Sequence, residues 1–334
     1  MIFTKTPFRI SFFGGGTDYP AWYEKNGGAV LSTTIDKYCY IMTRYLPPFF
    51  DFKYRIRYTE REEVKNIDDI KHPKVRECLK FFNLDNGIEM VHSSDIPAMS
   101  GMGSSSAFTV GFLNALYTIQ SLPASKMQLA LDAIKMEQEI TKENVGSQDQ
   151  VAAAFGGFNK IEFGGPEKIR VMPISVDPAT IAALQDRLMI FFTGYSRNAS
   201  EIAADQIRNI GTKESELRAM GAMVPEAVKI LSGGPARLHE FGKLLDESWK
   251  LKRGLSPLIS NEHTDDMYNA ARDAGALGGK LLGAGGGGFM LVFAEPENHA
   301  TIEEKLGKFL RVPFHFENAG SQVIFKADNE AVLA

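Results

Sequence analysis

Residues 100–108 of the chain, SGMGSSSAF, combine two spaced glycines with three consecutive serines directly before an apolar segment. From Phe108 onward, apolar residues recur at helical spacing, so the stretch predicts a tight turn that leads into a helix. One of the serines 104–106 is expected to cap this helix. The free N–H groups and the dipole of a helix start attract anions. The stretch is therefore suited to phosphate binding, with a plain turn as the equal alternative.

The second stretch with chemical potential is MEQEITKENVGSQDQ, residues 136–150. Asp149 precedes small apolar residues that predict a helix. There it could serve as a cap or first-turn acid, or as a general base that accepts the proton of a hydroxyl group. Glu137, Glu139 and Glu143 lie in the same stretch, and a single Glu on a helix is usually solvated. Taken alone, none of these carboxylates defines a reaction.

Two further glycine clusters are FFGGGTDY, residues 12–19, and GGKLLGAGGGGF, residues 278–289. The first is compatible with a β-turn in which Asp18 serves the turn, and the second with a tight turn into a buried strand. The P-loop pattern G-x-x-x-x-G-K-[ST] is absent. A G-x-G-x-x-G spacing occurs at 283–288, but these glycines precede the strand-like FMLVF instead of following a strand. This match to the dinucleotide-binding fingerprint is therefore rejected.

The composition restricts the class of protein in which these residues act. The chain has 334 residues, of which 44% are hydrophobic and 23% charged, as is usual for a globular protein. Its formal net charge of −4 gives no basic surface for nucleic acid. The two cysteines are too few for a disulfide scaffold, and the six histidines form no metal-binding pattern. With neither a signal peptide nor a membrane span in the sequence, a cytoplasmic protein without a membrane partner is expected.

Periodicity and turn residues predict the elements that must position the candidate side chains. In the first part, the predicted strands are 38–46, 54–59 and 88–92, then a hairpin of 158–163 and 168–174. The predicted helices there follow the serines 104–106, begin at Ser125, and run from 147 to Gly156. In the second part, the predicted strands are 187–192, 289–293, 312–317 and 321–325. The predicted helices there are 198–210, 214–231 with a bend at Pro225, 237–252, 262–274 and 297–310. A boundary near residue 185 then divides the chain into two α+β domains, 1–185 and 186–334.

In this order and at these separations, the three glycine clusters resemble the three motifs of the GHMP small-molecule kinases. That family is named for galactokinase, homoserine kinase, mevalonate kinase and phosphomevalonate kinase. The matching segments are Pro7–Tyr19, Pro97–Ser105 and Gly275–Phe289, so the resemblance spans most of the chain. It implies the α+β two-domain GHMP kinase fold. In that fold the N-terminal domain is like domain 2 of ribosomal protein S5, and the C-terminal domain is ferredoxin-like.

The same resemblance implies an ATP-dependent kinase that uses Mg²⁺. Asp149 is then the catalytic base, and Arg9 lies beside it and stabilises the transferring phosphoryl group. Glu137 and Ser105 become the implied Mg²⁺ ligands, since the spacing from Glu137 to Asp149 is similar to that of galactokinases. The implied ATP-binding residues are Pro97, Gly101, Met102, Gly103, Ser104, Ser105, Ser106, Gly285 and Gly286.

The first motif indicates which sugar accepts the phosphoryl group. Gly15 and Gly16 stand where galactokinases have Glu and His, which counts against galactose, whereas Thr17 and the sugar-binding Asp18 are retained. With the segment TGYSRNASE around Arg197, this form is most similar to the kinases of D-glycero-D-manno-heptose 7-phosphate, which phosphorylate the anomeric hydroxyl to give the 1,7-bisphosphate. Arg197 could bind the sugar phosphate, or equally be a solvated loop residue.

Two alternatives stay open besides the heptose phosphate kinase. One is another anomeric sugar kinase, of the fucose or galactose type. The other is a non-catalytic sugar- and ATP-binding sensor, against which the intact Glu137, Asp149 and serines 104–106 argue. The predicted partner is a small sugar phosphate, and a homodimer is left open.

Overall fold

The computed structural model describes residues 1–98, 100–164, 168–194 and 199–327. Its strands are β1 (Ile2–Phe13), β2 (Gly28–Tyr45), β3 (Tyr54–Arg57), β4 (Arg61–Val64), β5 (Ile88–Ser94), β6 (Phe158–Phe163), β7 (Ile169–Pro173), β8 (Leu188–Phe192), β9 (Gly278–Leu281), β10 (Phe289–Phe293), β11 (Leu310–Arg311), β12 (Phe316–Glu317) and β13 (Gln322–Lys326). Its helices are α1 (Pro20–Asn26), α2 (Pro73–Phe81), α3 (Ser104–Ile119), α4 (Lys126–Ile134), α5 (Gln148–Phe155), α6 (Pro178–Gln185), α7 (Ala199–Asn209), α8 (Glu214–Ser232), α9 (Leu238–Arg253), α10 (Glu262–Asp273) and α11 (His299–Lys305).

The larger sheet is built around β1 and β2, which pair antiparallel along their length. Its strand order is β13-β1-β2-β5-β3-β4, and β6 and β12 also pair with β2. The last eight residues of β1, 6–13, are all buried because helices of both halves, α3, α5, α8 and α9, pack against this strand. A strand buried in this way shows no alternation of polar and apolar residues. This explains why periodicity did not indicate β1.

The smaller sheet has the antiparallel order β11-β8-β10-β9, and α9 and α10 pack on β9. Helix α9 also contacts β1, so it joins the two sheets. The helix α8 runs continuously through Pro225, and most other elements of this half begin and end within a residue or two of their predicted bounds. The exceptions are the predicted helix 297–310 and the predicted strand 312–317, of which only Phe316–Glu317 (β12) forms a strand. In the structure α11 ends at Lys305, and β11 follows at Leu310.

The end of the chain returns to the larger sheet, which differs from the predicted division at residue 185. Strand β13 pairs with β1, and β12 pairs with β2. Residues 186–334 are therefore not one separate structural block, because 316–326 complete the N-terminal half. Among the described residues, we find no helix with the length and apolar character that crossing a membrane requires.

Candidate active site

A cavity of about 240 Å³ lies where the two halves meet. The N-terminal half contributes side chains from β1, from the turn after it, from the 101–106 loop and from the segment 143–149, while the C-terminal half contributes residues of α7, α9, β9 and the following loop. The cavity therefore unites parts of all three glycine clusters with Asp149. Its lining residues used below are Arg9, Ser11, Gly15, Gly16, Asp18, Gly101, Gly103, Ser104, Ser105, Ser106, Gln148, Asp149, Lys252, Lys280 and Gly283.

The start of α3 forms one wall of this cavity. Gly103 is its N-terminal flanking residue, in the left-handed conformation at φ 75°, and no side chain caps the helix. The predicted serine cap is therefore wrong. The Ser105 hydroxyl instead accepts from Lys74 at 2.6 Å, and the Ser106 hydroxyl donates to Glu137 at 2.8 Å. A helix start without a side-chain cap keeps its N–H groups for an anion, as phosphate binding requires.

The cavity wall at the start of α3 is held in place by backbone-to-backbone packing between the second and third glycine clusters. A Cβ atom added to Gly101 would lie 2.5 Å from the Leu282 carbonyl oxygen, and one added to Gly283 would lie 2.4 Å from Gly101 Cα. Gly101 also has a φ of +79°, which favours glycine. These glycines thus allow the two loops to approach as closely as they do.

Arg9 and Asp149 form a bidentate ion pair at the cavity. Arg9 Nε donates to Asp149 Oδ1 at 2.7 Å, and an Arg9 terminal nitrogen donates to Oδ2 at 2.8 Å. The other terminal nitrogen donates to the Gly101 carbonyl at 2.7 Å. Arg9 is only 4% exposed, so it is not a solvated surface residue. It fixes the carboxylate relative to the 101–106 loop with the planar geometry that favours such pairs.

Asp18 and its neighbours form a polar surface beside that pair. The Gly16 N–H donates to Asp18 Oδ1 at 2.9 Å, and Gln148 Nε2 donates to Asp18 Oδ2 at 3.0 Å. Burial raises the pKa of Asp18 above its usual value, and these donors oppose the rise. Ser11 Oγ and Gln148 Oε1 are buried without a hydrogen-bond partner among the described residues, and both residues line the cavity. Such orphaned atoms suit a ligand with several hydroxyl groups.

Glu137 occupies a fully buried position in a π-helical turn that continues α4. Its oxygen Oε1 accepts from Lys74 at 2.7 Å and from Thr109 at 2.6 Å, and Oε2 accepts from Ser106 at 2.8 Å and from Gln150. The Lys74 ammonium thus lies between the two predicted Mg²⁺ ligands, Ser105 and Glu137. Each of the two carboxylate oxygens of Glu137 thus already accepts two hydrogen bonds. This arrangement does not fit a Mg²⁺ ion held by Ser105 and Glu137 together.

Several predicted site residues lie away from the cavity lining. Pro97 is exposed, Met102 is buried with its carbonyl oxygen accepting from the Arg9 N–H at 3.1 Å, and Thr17 closes its own turn by donating to the Gly14 carbonyl at 2.8 Å. Gly285 and Gly286 pack against Ile259, whose carbonyl accepts from the Gly286 N–H at 2.8 Å. Arg197 lies outside the described residues.

The cavity-lining residues that sequence reasoning missed include Ser11, Gln148, Lys252 and Lys280. Ser11 lies inside the first motif and Lys280 inside the third, but the family pattern assigned roles only to other residues of these motifs. Gln148 directly precedes Asp149, so its position next to the candidate base was a usable signal. Lys252 lies on an amphipathic helix among other lysines, and nothing in its local sequence distinguishes it.

An uncapped helix start beside a paired Asp and Arg is an arrangement suited to phosphoryl transfer, and comparison with known proteins identifies the family. The GHMP kinases N terminal domain matches residues 73–157, and the GHMP kinases C terminal domain matches residues 224–312. A D-glycero-alpha-D-manno-heptose 7-phosphate kinase of Campylobacter jejuni is 32% identical over 317 residues, covering 92% of this chain and 93% of that protein. The chain belongs to the GHMP kinase family, and it is an ATP-dependent kinase.

Two further relatives show the breadth of the similarity. A bifunctional fucokinase/GDP-fucose pyrophosphorylase of Arabidopsis thaliana is 26% identical over 323 residues, which are 88% of this chain but 30% of that protein. A crystal structure described as a D-glycero-D-manno-heptose 1-phosphate kinase of Bacteroides thetaiotaomicron superposes with a TM-score of 0.80 at 22% identity, covering 98% of this chain and all of that one. The likeness to that structure establishes the two-domain GHMP kinase fold.

Proposed function

We propose that the protein is a sugar kinase that transfers the γ-phosphoryl group of ATP to the anomeric hydroxyl of D-glycero-D-manno-heptose 7-phosphate. The product would be the 1,7-bisphosphate. The observation that carries the phosphotransfer is the bidentate Arg9–Asp149 pair, tied to Gly101 of the phosphate-binding loop and open to the same cavity as Asp18. The relative from Campylobacter jejuni, which matches almost end to end, supports the choice of sugar.

In this proposal, the oxygen of the acceptor hydroxyl attacks the γ-phosphorus atom. As it does so, the hydroxyl gives its proton to a carboxylate oxygen of Asp149. The new O–P bond forms while the bond between the γ-phosphorus and the bridging oxygen breaks, and ADP leaves with that oxygen. Arg9 contributes fixed positive charge next to the reacting atoms, and the N–H groups at the start of α3 hold the phosphates. Phosphoryl transfer depends mainly on such positioning and charge stabilisation.

The acceptor would lie against Asp18, Ser11 and Gln148, because these side chains offer acceptor and donor atoms to several hydroxyl groups. Gly15 and Gly16 leave this surface without the two larger polar side chains of galactokinases, which gives room to a seven-carbon sugar. A Cβ atom at Gly15 would be 3.7 Å from Gln148 Nε2 and 3.9 Å from Ser11 Oγ, which is ordinary van der Waals contact, so any larger side chain there would extend from a point beside these two groups. Mg²⁺ as the companion of ATP stays a prediction, with its protein ligands to be found outside the Ser105–Glu137 pair.

The test is a phosphorylation assay with purified protein, with the position of the new phosphate read by ³¹P and ¹³C NMR. We expect phosphate at C1 of heptose 7-phosphate. The terminal phosphate should raise kcat/KM over that of the free heptose by roughly tenfold to several-hundredfold, the effect of one or two charge-assisted hydrogen bonds. Equal kcat/KM for heptose 7-phosphate and the free heptose would contradict the proposal that the protein recognises the phosphate of the acceptor.

The same assay tests the two rival acceptors named by similar proteins. Heptose 1-phosphate as the better substrate would reverse the order of phosphorylation, in agreement with the name of the Bacteroides structure. Fucose or galactose as the better substrate would make the protein a kinase of unphosphorylated sugars. Binding of ATP and sugar without any product would favour the sensor.

A further inference from the structure

Two lysines of the C-terminal half reach the cavity although they are almost completely buried. Lys252 on α9 is 5% exposed and Lys280 on β9 is 2% exposed, and both line the cavity. Neither forms an ion pair with a carboxylate within the described ranges. They are therefore unlike Lys74, which is equally buried but paired with Glu137 and Glu143.

Backbone carbonyl groups are the hydrogen-bond partners of these two ammonium groups. Lys252 Nζ donates to the carbonyls of Leu281 at 3.1 Å and Gly283 at 2.5 Å, and Lys280 Nζ donates to the carbonyl of Phe12 at 2.9 Å. Gly283 is the residue whose backbone packs against Gly101 of the phosphate-binding loop. Lys252 is thereby held next to the loop that receives the phosphates.

A buried cation without a counter-charge is unfavourable, and a bound anion would supply that counter-charge. The carboxylates that face these lysines are engaged elsewhere, since Asp149 is paired with Arg9, and Asp18 accepts from Gly16 and Gln148. Burial, followed by repulsion from Arg9, lowers the pKa of Lys252 to about 7, and burial together with repulsion from Lys252 and Arg9 lowers that of Lys280. An anion bound next to Lys252 and Lys280 would offset both the burial and the repulsion between the positive charges.

We propose that Lys252, with Lys280 near it, binds the phosphoryl group that is transferred from ATP. This rests on the proposed function in so far as the cavity is the place of phosphoryl transfer. The reaction supplies two phosphate groups, the γ-phosphoryl group of ATP and the phosphate of the acceptor. The γ-phosphoryl group fits better, because Lys252 is anchored to Gly283, whose backbone packs against Gly101 of the nucleotide loop.

The test compares Lys252→Met with wild type by calorimetric titration of ADP and of the β,γ-imido analogue of ATP. We expect Lys252→Met to weaken binding of the ATP analogue by about tenfold to a hundredfold and to leave ADP binding unchanged. Wild type should take up protons when the analogue binds at about pH 8, and the variant should take up fewer. Lys250→Met is the matched control, because Lys250 lies on the same helix with its side chain 62% exposed.

Three results would overturn the proposal. Equal weakening of ADP and the analogue would place Lys252 on the other phosphates, and a raised KM for heptose 7-phosphate alone would place it on the acceptor. Unchanged ligand binding with a lowered Tm would make Lys252 a structural residue that only ties α9 to the loop after β9. Because the titrations use nucleotides without any sugar, they decide this inference even if the heptose is not the acceptor.

Discussion

At the scale of single residues, the catalytic assignment depends on a contact between positions 140 residues apart in the chain. Arg9 lies in a buried strand, and Asp149 lies in the first turn of α5. Nothing in the periodicity of either segment indicates that Arg9 and Asp149 are in contact, so only the family resemblance could predict this contact. The structure adds the hydrogen bond from Arg9 to the Gly101 carbonyl, so that Arg9 holds both the Asp149 carboxylate and the 101–106 loop.

Asp149→Asn tests this assignment. An amide cannot accept the proton of the acceptor hydroxyl, so we expect kcat to fall by roughly 10²–10⁴-fold, the usual effect of losing a general base. The Kd of ADP should remain near that of wild type, because the start of α3 is unchanged. Steady-state kinetics and nucleotide titration measure the two effects separately. A variant that keeps most of its turnover would reduce Asp149 to a first-turn acid.

Glu137 stands at a position where the family resemblance implies a Mg²⁺ ligand, but its surroundings give it a different role. Its carboxylate neutralises the buried Lys74. Burial opposes both pKa shifts, but the pKa of Lys74 is raised by Glu137 and Glu143, and the pKa of Glu137 is lowered by Lys74 and by its hydrogen-bond donors. A residue expected to bind a metal ion is therefore positioned to stabilise the fold.

Glu137→Gln should lower the free energy of unfolding by about 3 kcal/mol, because it leaves a buried lysine with less compensation. The measurement is thermal or urea unfolding in metal-free buffer, with Glu139→Gln, an exposed neighbour in the same turn, as the matched control. Unchanged stability together with a higher Mg²⁺ concentration for half-maximal activity would restore Glu137 as a metal ligand.

At the scale of elements, the sequence predicted the C-terminal half better than the N-terminal half. Helices α8, α9 and α10 have one polar and one apolar face, which gives a clear helical period, and β10 is a short apolar run between turn residues. By contrast, β1 and the first part of β2 lack alternation because helices cover them. A helix start at the serines 104–106 was predicted, but the predicted serine cap was wrong, since the Ser105 and Ser106 hydroxyls bond to Lys74 and Glu137 from distant segments.

The contact between the two glycine loops is the element on which nucleotide binding should depend most. In Gly101→Ala, the new methyl group would lie 2.5 Å from the Leu282 carbonyl oxygen, in a backbone conformation with φ +79°. Since the loop must shift or strain to accept it, we expect the Kd of ADP to rise by about tenfold or more. Gly211→Ala is the control, because no atom lies within 4 Å of its Cβ position. Wild-type ADP affinity in Gly101→Ala would show that the loop binds nucleotide without this close packing.

At the scale of the whole molecule, the cavity exists only where the two halves meet. Arg9 and Asp149 come from the first half, whereas Lys252 and Lys280 come from the second. The last described strands cross back to the first half, where the Ser321 N–H donates to the Ala153 carbonyl at 2.8 Å and the Gly157 N–H donates to the Glu317 carbonyl at 3.2 Å. Short strands of this kind carry little signal in a sequence. Their pairing partners, more than 150 positions away, are set by the fold as a whole.

This topology leads to a prediction about a chain that ends at Val312 and so lacks β12 and β13. If residues 186–334 formed a separate domain, the truncation would affect only the second half. Because β13 pairs with β1, and Ser321 and Glu317 bond to the region around α5, we expect faster amide hydrogen exchange in β1 and residues 153–157 instead. The strands β8 and β10 should keep their protection, and turnover should fall because Arg9 and Asp149 lose the support of the sheet edge. A chain that ends at Ala327 is the control and should match the full chain. Faster exchange confined to β8–β10 would instead favour the division at residue 185.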